Sequence, residues 1–405
     1  MALDLTTFDA ALQQHYTTRV TRDLAERDNP LYGLVRKNTK VGGDGMKTPV
    51  MHRNPTGGSA TYSNADANAV EGGYKAFLQT HRDHFHVVNI GHKVLKLASY
   101  KEAFFSAKKE LDRGIQQATN ALSRKLFGDL GGSFARLANS TFATTQLQLV
   151  SPQDAYHFER NEVLVLGPNK NGTAVRAGTL TVLAVNRSTG VLTLTGNIVA
   201  GVAAVAQNDY IFKQGDAALG WTGLESFNPI LAADLTTLHT VDQTEDPTRL
   251  GGYRMDATAM NIEEALIELA AQLSFEGAKV NKAFLNPIRF KDLNLSAQSG
   301  RMGRREVKST TGYVGYQAFT LMGPKGEIDI MQDTSCPANV LRMGELESLE
   351  LKTADEAPSF AKDDGLMLRF DQTTMNLKAR IFAYGDLTNE APGYWGCAQL
   401  APVNA

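Results

Sequence analysis

One long amphipathic run narrows the fold more than any other feature of the sequence. Between residues 97 and 127, Leu97, Tyr100, Phe104, Leu111, Ile115, Ala118, Leu122 and Leu126 share one helical face. Lys101, Lys108, Lys109, Glu110, Asp112, Arg113, Gln116 and Arg124 fall mostly elsewhere. Gly128 and the Gly131–Gly132 pair mark the stop. At 1.5 Å per residue, a helix of about 30 residues spans roughly 45 Å, against about 11–12 residues for the usual globular helix. Such a helix suits a strut on which other elements hang.

The segment before it cannot bury itself. Residues 39–95 are punctuated by Gly42, Gly43, Gly45, Gly57, Gly58, Gly72 and Gly73. They carry two extended runs, Lys47 to Arg53 and Lys75 to Val94, the second alternating in part through Phe77, Phe85, Val87, Ile90 and Val94. This predicts a long two-stranded excursion with a glycine-rich tip. An isolated hairpin is marginal in water, so this one needs a partner surface on another subunit. Ahead of it, Leu12, Tyr16, Val20 and Leu24 recur every four residues, and Pro30 closes the segment. Arg19, Arg22, Arg27, Arg36 and Lys37 make residues 1–38 locally basic, which reads as a solvated helix or as an arm lying on a neighbour.

After the long helix the composition changes twice. Residues 148–216 alternate short β-rich runs with turns: Glu162 to Leu166, Gly178 to Val185 and Val191 to Leu194, split by Pro168–Gly172 and Arg187–Gly190. This predicts an inserted all-β barrel or sandwich. Residues 217–345 are mixed α/β. A helix is expected over Asn261–Gln272 with Gly277 beyond it, a strand at Ala283–Leu285 stopped by Asn286–Pro287, a second helix over Ile288–Leu295 and a strand at Glu327–Met331. Residues 346–401 read as long strands again, including Gly365–Phe370 and Thr374–Tyr384.

Chemistry is sparse. A formal net charge of -2 gives no basic excess for displacing counterions from phosphates, although a wall that merely faces DNA is allowed. Cys336 and Cys397 form no C-x-x-C pair and read as free thiols of a reducing compartment. The first residues lack a basic stretch followed by an apolar one, and no run approaches the roughly 18 apolar residues of a membrane span. His81, His84, His86 and His92 cluster, and His84 and His86 share a strand face that can hold a metal. No cysteine completes such a site and Asp83 points the other way, so an exposed polar strand is expected. Asn64, Asp66 and Asn68 start like a calcium loop, but Ala69 replaces the required glycine and Lys75 the closing glutamate. No G-x-S-x-G, P-loop or H-E-x-x-H motif occurs. No catalytic residue, cofactor or metal is assigned, and the expectation is that the protein is not an enzyme; a hydrolase with a β-accessory domain would need convergent acids or a nucleophile.

The order of elements is basic arm, glycine-rich hairpin, very long helix, α/β lobe and closing strands. Local passages accompany it: Val241 to Gly252 before an amphipathic helix, Phe284-Leu285-Asn286-Pro287 with Phe290 and Leu293, and Gly323 to Asp333 followed by Pro337. In these the chain resembles the major capsid protein of tailed bacteriophages, whose fold is shared with encapsulins; the resemblance covers about 40–130 and 220–400. It implies an α+β capsid fold with an N-terminal arm (1–38), an extended loop (39–95), a peripheral domain with a spine helix (96–147), the inserted β-domain (148–216), an axial domain (217–345) and returning peripheral strands (346–405). It further implies a structural subunit that self-assembles through hexamers and pentamers into an icosahedral shell. That shell would form in the host bacterial cytoplasm and end in the virion. Implied partners are copies of the chain, a separate scaffolding protein, a portal, optionally a decoration protein, and double-stranded DNA facing the inner wall without specific binding; no membrane is involved. Met51, Phe77 and Phe85 of the loop and Arg19, Arg22 and Arg36 of the arm become the inter-subunit contact candidates. The inserted domain would brace neighbours. An encapsulin-like cargo compartment is the alternative on the same fold, and a tail or baseplate protein fits the long helix poorly.

Overall fold

Everything hangs on the helix Tyr100–Phe127, 28 residues and about 42 Å long. A computed structural model describes the chain apart from residues 1–4, 41–42, 44, 94–99, 296–302, 311, 313, 356–357, 363, 372, 375 and 403–405. Gly42, Val94 and Leu97 of the patterns above lie outside the described residues. The predicted apolar face is the buried one: Leu111, Ile115, Ala118, Leu122 and Leu126 are sealed, and Ala103 and Ala107 extend the stripe. Small residues along it allow close packing; a Cβ on Gly114 would stand 2.2 Å from Val88. The stop is where glycine places it, with Gly128 N–H donating to the carbonyls of Arg124 and Lys125.

Beneath the helix lies a six-stranded sheet built around the 13-residue strand Leu377–Asn389. Arg82–Ile90 pairs antiparallel along one of its edges, and Leu349–Thr353, Ser359–Phe360 and Leu368–Phe370 pair along the other. Arg36–Asn38 adds in parallel to Leu349–Thr353, which ties the end of the arm to this sheet.

The extended run from Lys75 onward is therefore two strands, not one. Gly73–Thr80 pairs with Gly45–Arg53 to make the hairpin, and after His81 the chain changes partner so that Arg82–Ile90 joins the body. The same alternation runs through both halves, so the sequence does not mark the change of partner. The hairpin tip holds a short exposed helix, Tyr62–Ala67, across the residues that resembled a calcium loop.

The β-domain begins earlier than expected. Ala135–Arg136, Gln146–Gln148, Val163–Gly167, Leu180–Asn186, Val191–Leu194 and Tyr210–Lys213 form one sheet. A bridge between Leu137 and Leu149 joins its two end strands and closes it into a small barrel. Phe134, Leu137, Leu147, Phe158, Leu166, Leu180, Leu192 and Ile211 fill the interior. The expected start at 148 missed the first two strands because strands of two and three residues carry no readable alternation.

The α/β lobe is a seven-stranded sheet in the order Tyr253–Ala257, Trp395–Leu400, Val340–Gly344, Lys282–Leu285, Gly326–Gln332, Gly315–Gly323, Gly303–Lys308. The helix Ile262–Phe275 packs on it through Ala265, Leu266, Leu269 and Leu273, and Gly277 follows at φ 99°. A second helix runs Pro287–Leu295. Trp395–Leu400 was expected among the returning peripheral strands; it is an inner strand of this sheet instead. Trp395, Cys397, Ala398 and Leu400 are all buried, as a strand covered on both faces requires.

Candidate assembly interface

Strand alternation splits the hairpin into two unlike faces. Met46, Thr48, Val50, Phe77 and Gln79 point inward and are at most 4% exposed. Outward lie the cross-strand pairs Met51–Tyr74, Pro49–Ala76 and Lys47–Leu78. Met51 is 47%, Leu78 52% and Tyr74 71% exposed. Neither outer edge of the hairpin carries a third strand among the described residues. Phe77 packs edge-on against Phe227, ring centres 5.6 Å apart, inside its own chain. It is withdrawn as an inter-subunit contact, because a residue sealed in its own core has no surface to offer.

A second uncovered apolar face lies on the six-stranded sheet, opposite the long helix. Phe85 and Val87 project from Arg82–Ile90 and are 60% and 53% exposed. Phe382 stands directly across from Phe85, and Tyr384 meets both rings, 5.7 Å from Phe85 and 5.0 Å from Phe382. Such ring pairs rigidify the patch. Arg380 sits across from Val87 at its margin.

The inner face of the same strand corrects the histidine expectation. His84 is buried, with Nε2–H donating to the Ala118 carbonyl at 3.0 Å and Nδ1 3.5 Å from Lys125 Nζ. Burial, with the Lys125 charge behind it, holds its pKa down at about 3, so the ring is neutral. His86 is also pushed down by burial. His92 packs on the Phe370 ring. Among the described residues, no group of histidine, cysteine and acidic side chains is placed to hold a metal. Both cysteines are buried free thiols, their pKa values raised by burial.

The arm candidates separate. Arg36 spends its guanidinium on Glu350, with Nη2 2.6 Å from Oε1, and so pins the parallel strand. Arg19 is exposed and Arg22 half-buried on the helix Thr18–Glu26, which packs along the long helix.

Buried ions join the barrel to the body. Glu225 bonds Lys170 from the barrel on one side and Arg342 of the α/β lobe, at 2.9 Å, on the other. Arg342 also donates to the Asn228 carbonyl. Asp129, at the end of the long helix, is pushed up to about 6 by burial. Arg124 and Lys125 of the helix reach Asp154 and Asp216 at 3.2 and 3.1 Å. These partners lie far apart in the chain, so no motif announces them.

No family model and no curated protein matches the chain. Solved structures do. A Cyanophage A-1(L) capsid asymmetric unit superposes over 93% of both chains at a TM-score of 0.53 and 10% identity. The capsid of a native GTA particle aligns over 92% of this chain and 90% of its own at a TM-score of 0.47 and 8% identity. The fold is thus that of a phage capsid subunit, in agreement with the order of elements read from the sequence.

Proposed function

We propose that this chain is the structural major capsid subunit of a tailed phage, built to close into an icosahedral shell of hexamers and pentamers around the genome. The observation that carries the reading is the pair of uncovered apolar sheet faces on two different elements, borne on a capsid fold. Rings close through heterologous contacts, which need two unlike surfaces on each subunit. In this reading the outer hairpin face, with Met51, Tyr74 and Leu78, lies on the Phe85–Val87–Phe382–Tyr384 face of the next subunit. Met51 and Phe85 are then interface residues. Arg19 and Arg22 of the arm contact a neighbour, and Arg36 acts by holding the arm in place.

The barrel at 134–213 braces adjoining subunits from the body to which its ion pairs fix it. A separate scaffolding protein, a portal and optionally a decoration protein complete the particle. With a net charge of -2, the inner wall faces double-stranded DNA without gripping it. Assembly takes place in the host bacterial cytoplasm and the product is the virion. The chain works through contacts alone and catalyses nothing.

Cysteine pairing tests the contact. Both native thiols are buried, so a Leu78→Cys/Val87→Cys variant reports only the new pair. Mild oxidation of assembled material is expected to give a covalent ladder extending to five and six subunits. Covalent dimers alone would mean a two-fold contact, and unlinked monomers would remove the proposed interface.

A further inference from the structure

Four segments meet at the root of the hairpin, around a carboxyl group that the shell reading does not use. Asp386, on the central strand of the six-stranded sheet, is fully buried. Its Oδ1 accepts from Thr222 N–H at 2.7 Å and Leu387 N–H at 3.0 Å. Its Oδ2 lies 2.6 Å from Thr222 Oγ1 and accepts from the Gln79 amide at 3.2 Å. Gln79 belongs to the hairpin strand and also donates to the Leu387 carbonyl at 2.8 Å. Thr222 Oγ1 continues the chain to His239 Nε2 at 2.9 Å, and the His239 carbonyl accepts from Leu78 N–H of the hairpin at 3.2 Å.

The closed arrangement is under tension. His239 and Thr240 form the turn between Thr237–Leu238 and Val241–Asp242 with φ of 45° and 75°. A β-branched threonine at positive φ is a strained choice where asparagine or glycine is usual. Gln79 Oε1 is buried without a hydrogen-bond partner. Strain of this kind clusters at ligand clamps and switch regions.

We propose that the hairpin root is a proton-operated hinge: protonated Asp386 holds the hairpin against the body, and ionisation of that buried carboxyl releases it. With the proton on Oδ2, Asp386 donates to Thr222 Oγ1, which donates to neutral His239, while the Thr222 and Leu387 N–H groups and the Gln79 amide keep their acceptors. Without it, a full negative charge is enclosed. The charged groups around it do little to balance that charge. Arg82, from the strand after the hairpin, acts only at a distance. Lys352, the register partner of Asp386, turns its Nζ to Thr48 and Glu350. His239 is held neutral by burial, its pKa down at about 4. Burial outweighs the four donors and raises Asp386 to about 7. An opened junction would expose it to water with an ordinary carboxyl pKa. By linkage, the closed junction holds an extra proton between an ordinary carboxyl pKa and about 7, so closure weakens as pH rises across that window and levels off above it. The hinge is a property of a single chain, so it stands or falls independently of shell assembly.

Hydrogen exchange of the full-length unassembled chain tests it, read at the hairpin amides Leu78 and Gln79 and corrected for intrinsic rates. Protection is expected to fall about tenfold per pH unit from about pH 4.5 to 6.5 and to level off above about pH 7, while barrel amides such as Leu166 stay level throughout. Asp386→Asn, which keeps the Oδ1 acceptor, can donate from Nδ2 to Thr222 Oγ1 and cannot ionise, is expected to lose the pH dependence of hairpin protection. Unchanged wild-type protection, or an Asp386→Asn variant that follows the wild type, would overturn the hinge. Should that variant not fold, the carboxyl 13C shift of Asp386 in the wild-type chain decides: titration near neutrality supports the hinge, and ionisation below pH 5 refutes it.

Discussion

The barrel and the hairpin are both β-structure carried on the same body, yet they end in opposite conditions. The barrel closes on itself. Its end strands meet at Leu137 and Leu149, and its apolar residues face one sealed interior. The hairpin has two strands, one face buried by its own chain and the other, with Met51, Tyr74 and Leu78, left in water. Closure removes edges and completes a core within about 80 residues, whereas a two-stranded ribbon must borrow a surface. The barrel is thus a finished part and the hairpin half of a joint. Phe77 and Leu78 are neighbours in sequence and illustrate the divide: one is sealed in the body, the other is kept for a partner.

The sharpest way to break this comparison is to open the barrel. Phe158→Ala should cost about 3–5 kcal/mol of barrel stability, seen as a separate early transition in urea. A single transition shared with the body would mean that the barrel is no independent part. Acid should act on the body sheet that offers the hairpin its proposed seat. His84 lies beneath the exposed aromatic face, with a folded pKa of about 3 against an unfolded value near 6.5. The unfolded chain binds the extra proton between those values, so the His84 contribution is intact above about pH 6.5 and is lost as pH falls toward 3. Relative to His84→Gln, the wild type should lose about 2–3 kcal/mol between pH 6.5 and 4.5, measured by denaturant unfolding. A constant difference would show that His84 is not held neutral. The smallest effect on the chain itself is expected from Met51→Ala with Tyr74→Ala, which should change monomer stability by no more than about 0.5 kcal/mol while suppressing assembly in light scattering. A large loss of monomer stability would mean that this face is already covered within the chain.

The sequence was most legible where one physical signal repeats. The long helix shows its apolar stripe seven times between Tyr100 and Leu126 and ends at glycine, so its face and stop could be read directly. Legibility failed where the deciding fact is a distant partner. Phe77 and Phe85 are equivalent in a strand pattern, and only the change of partner after His81 sends one inward against Phe227 and leaves the other exposed. His84 reads as a polar strand residue, yet the Ala118 carbonyl receives it under the helix. The Asp386 junction draws on residues 79, 222, 239 and 386, a separation that no local motif bridges.

The central claim is that the outer hairpin face exists to build a closed shell. Electron microscopy of the purified full-length chain, expressed with and without a scaffolding protein, tests it most directly. The account predicts closed icosahedral particles in which each hairpin lies across the Phe85–Tyr384 face of the adjoining subunit. Monodisperse single chains at high concentration under both conditions, or particles whose hairpins contact nothing, would contradict it.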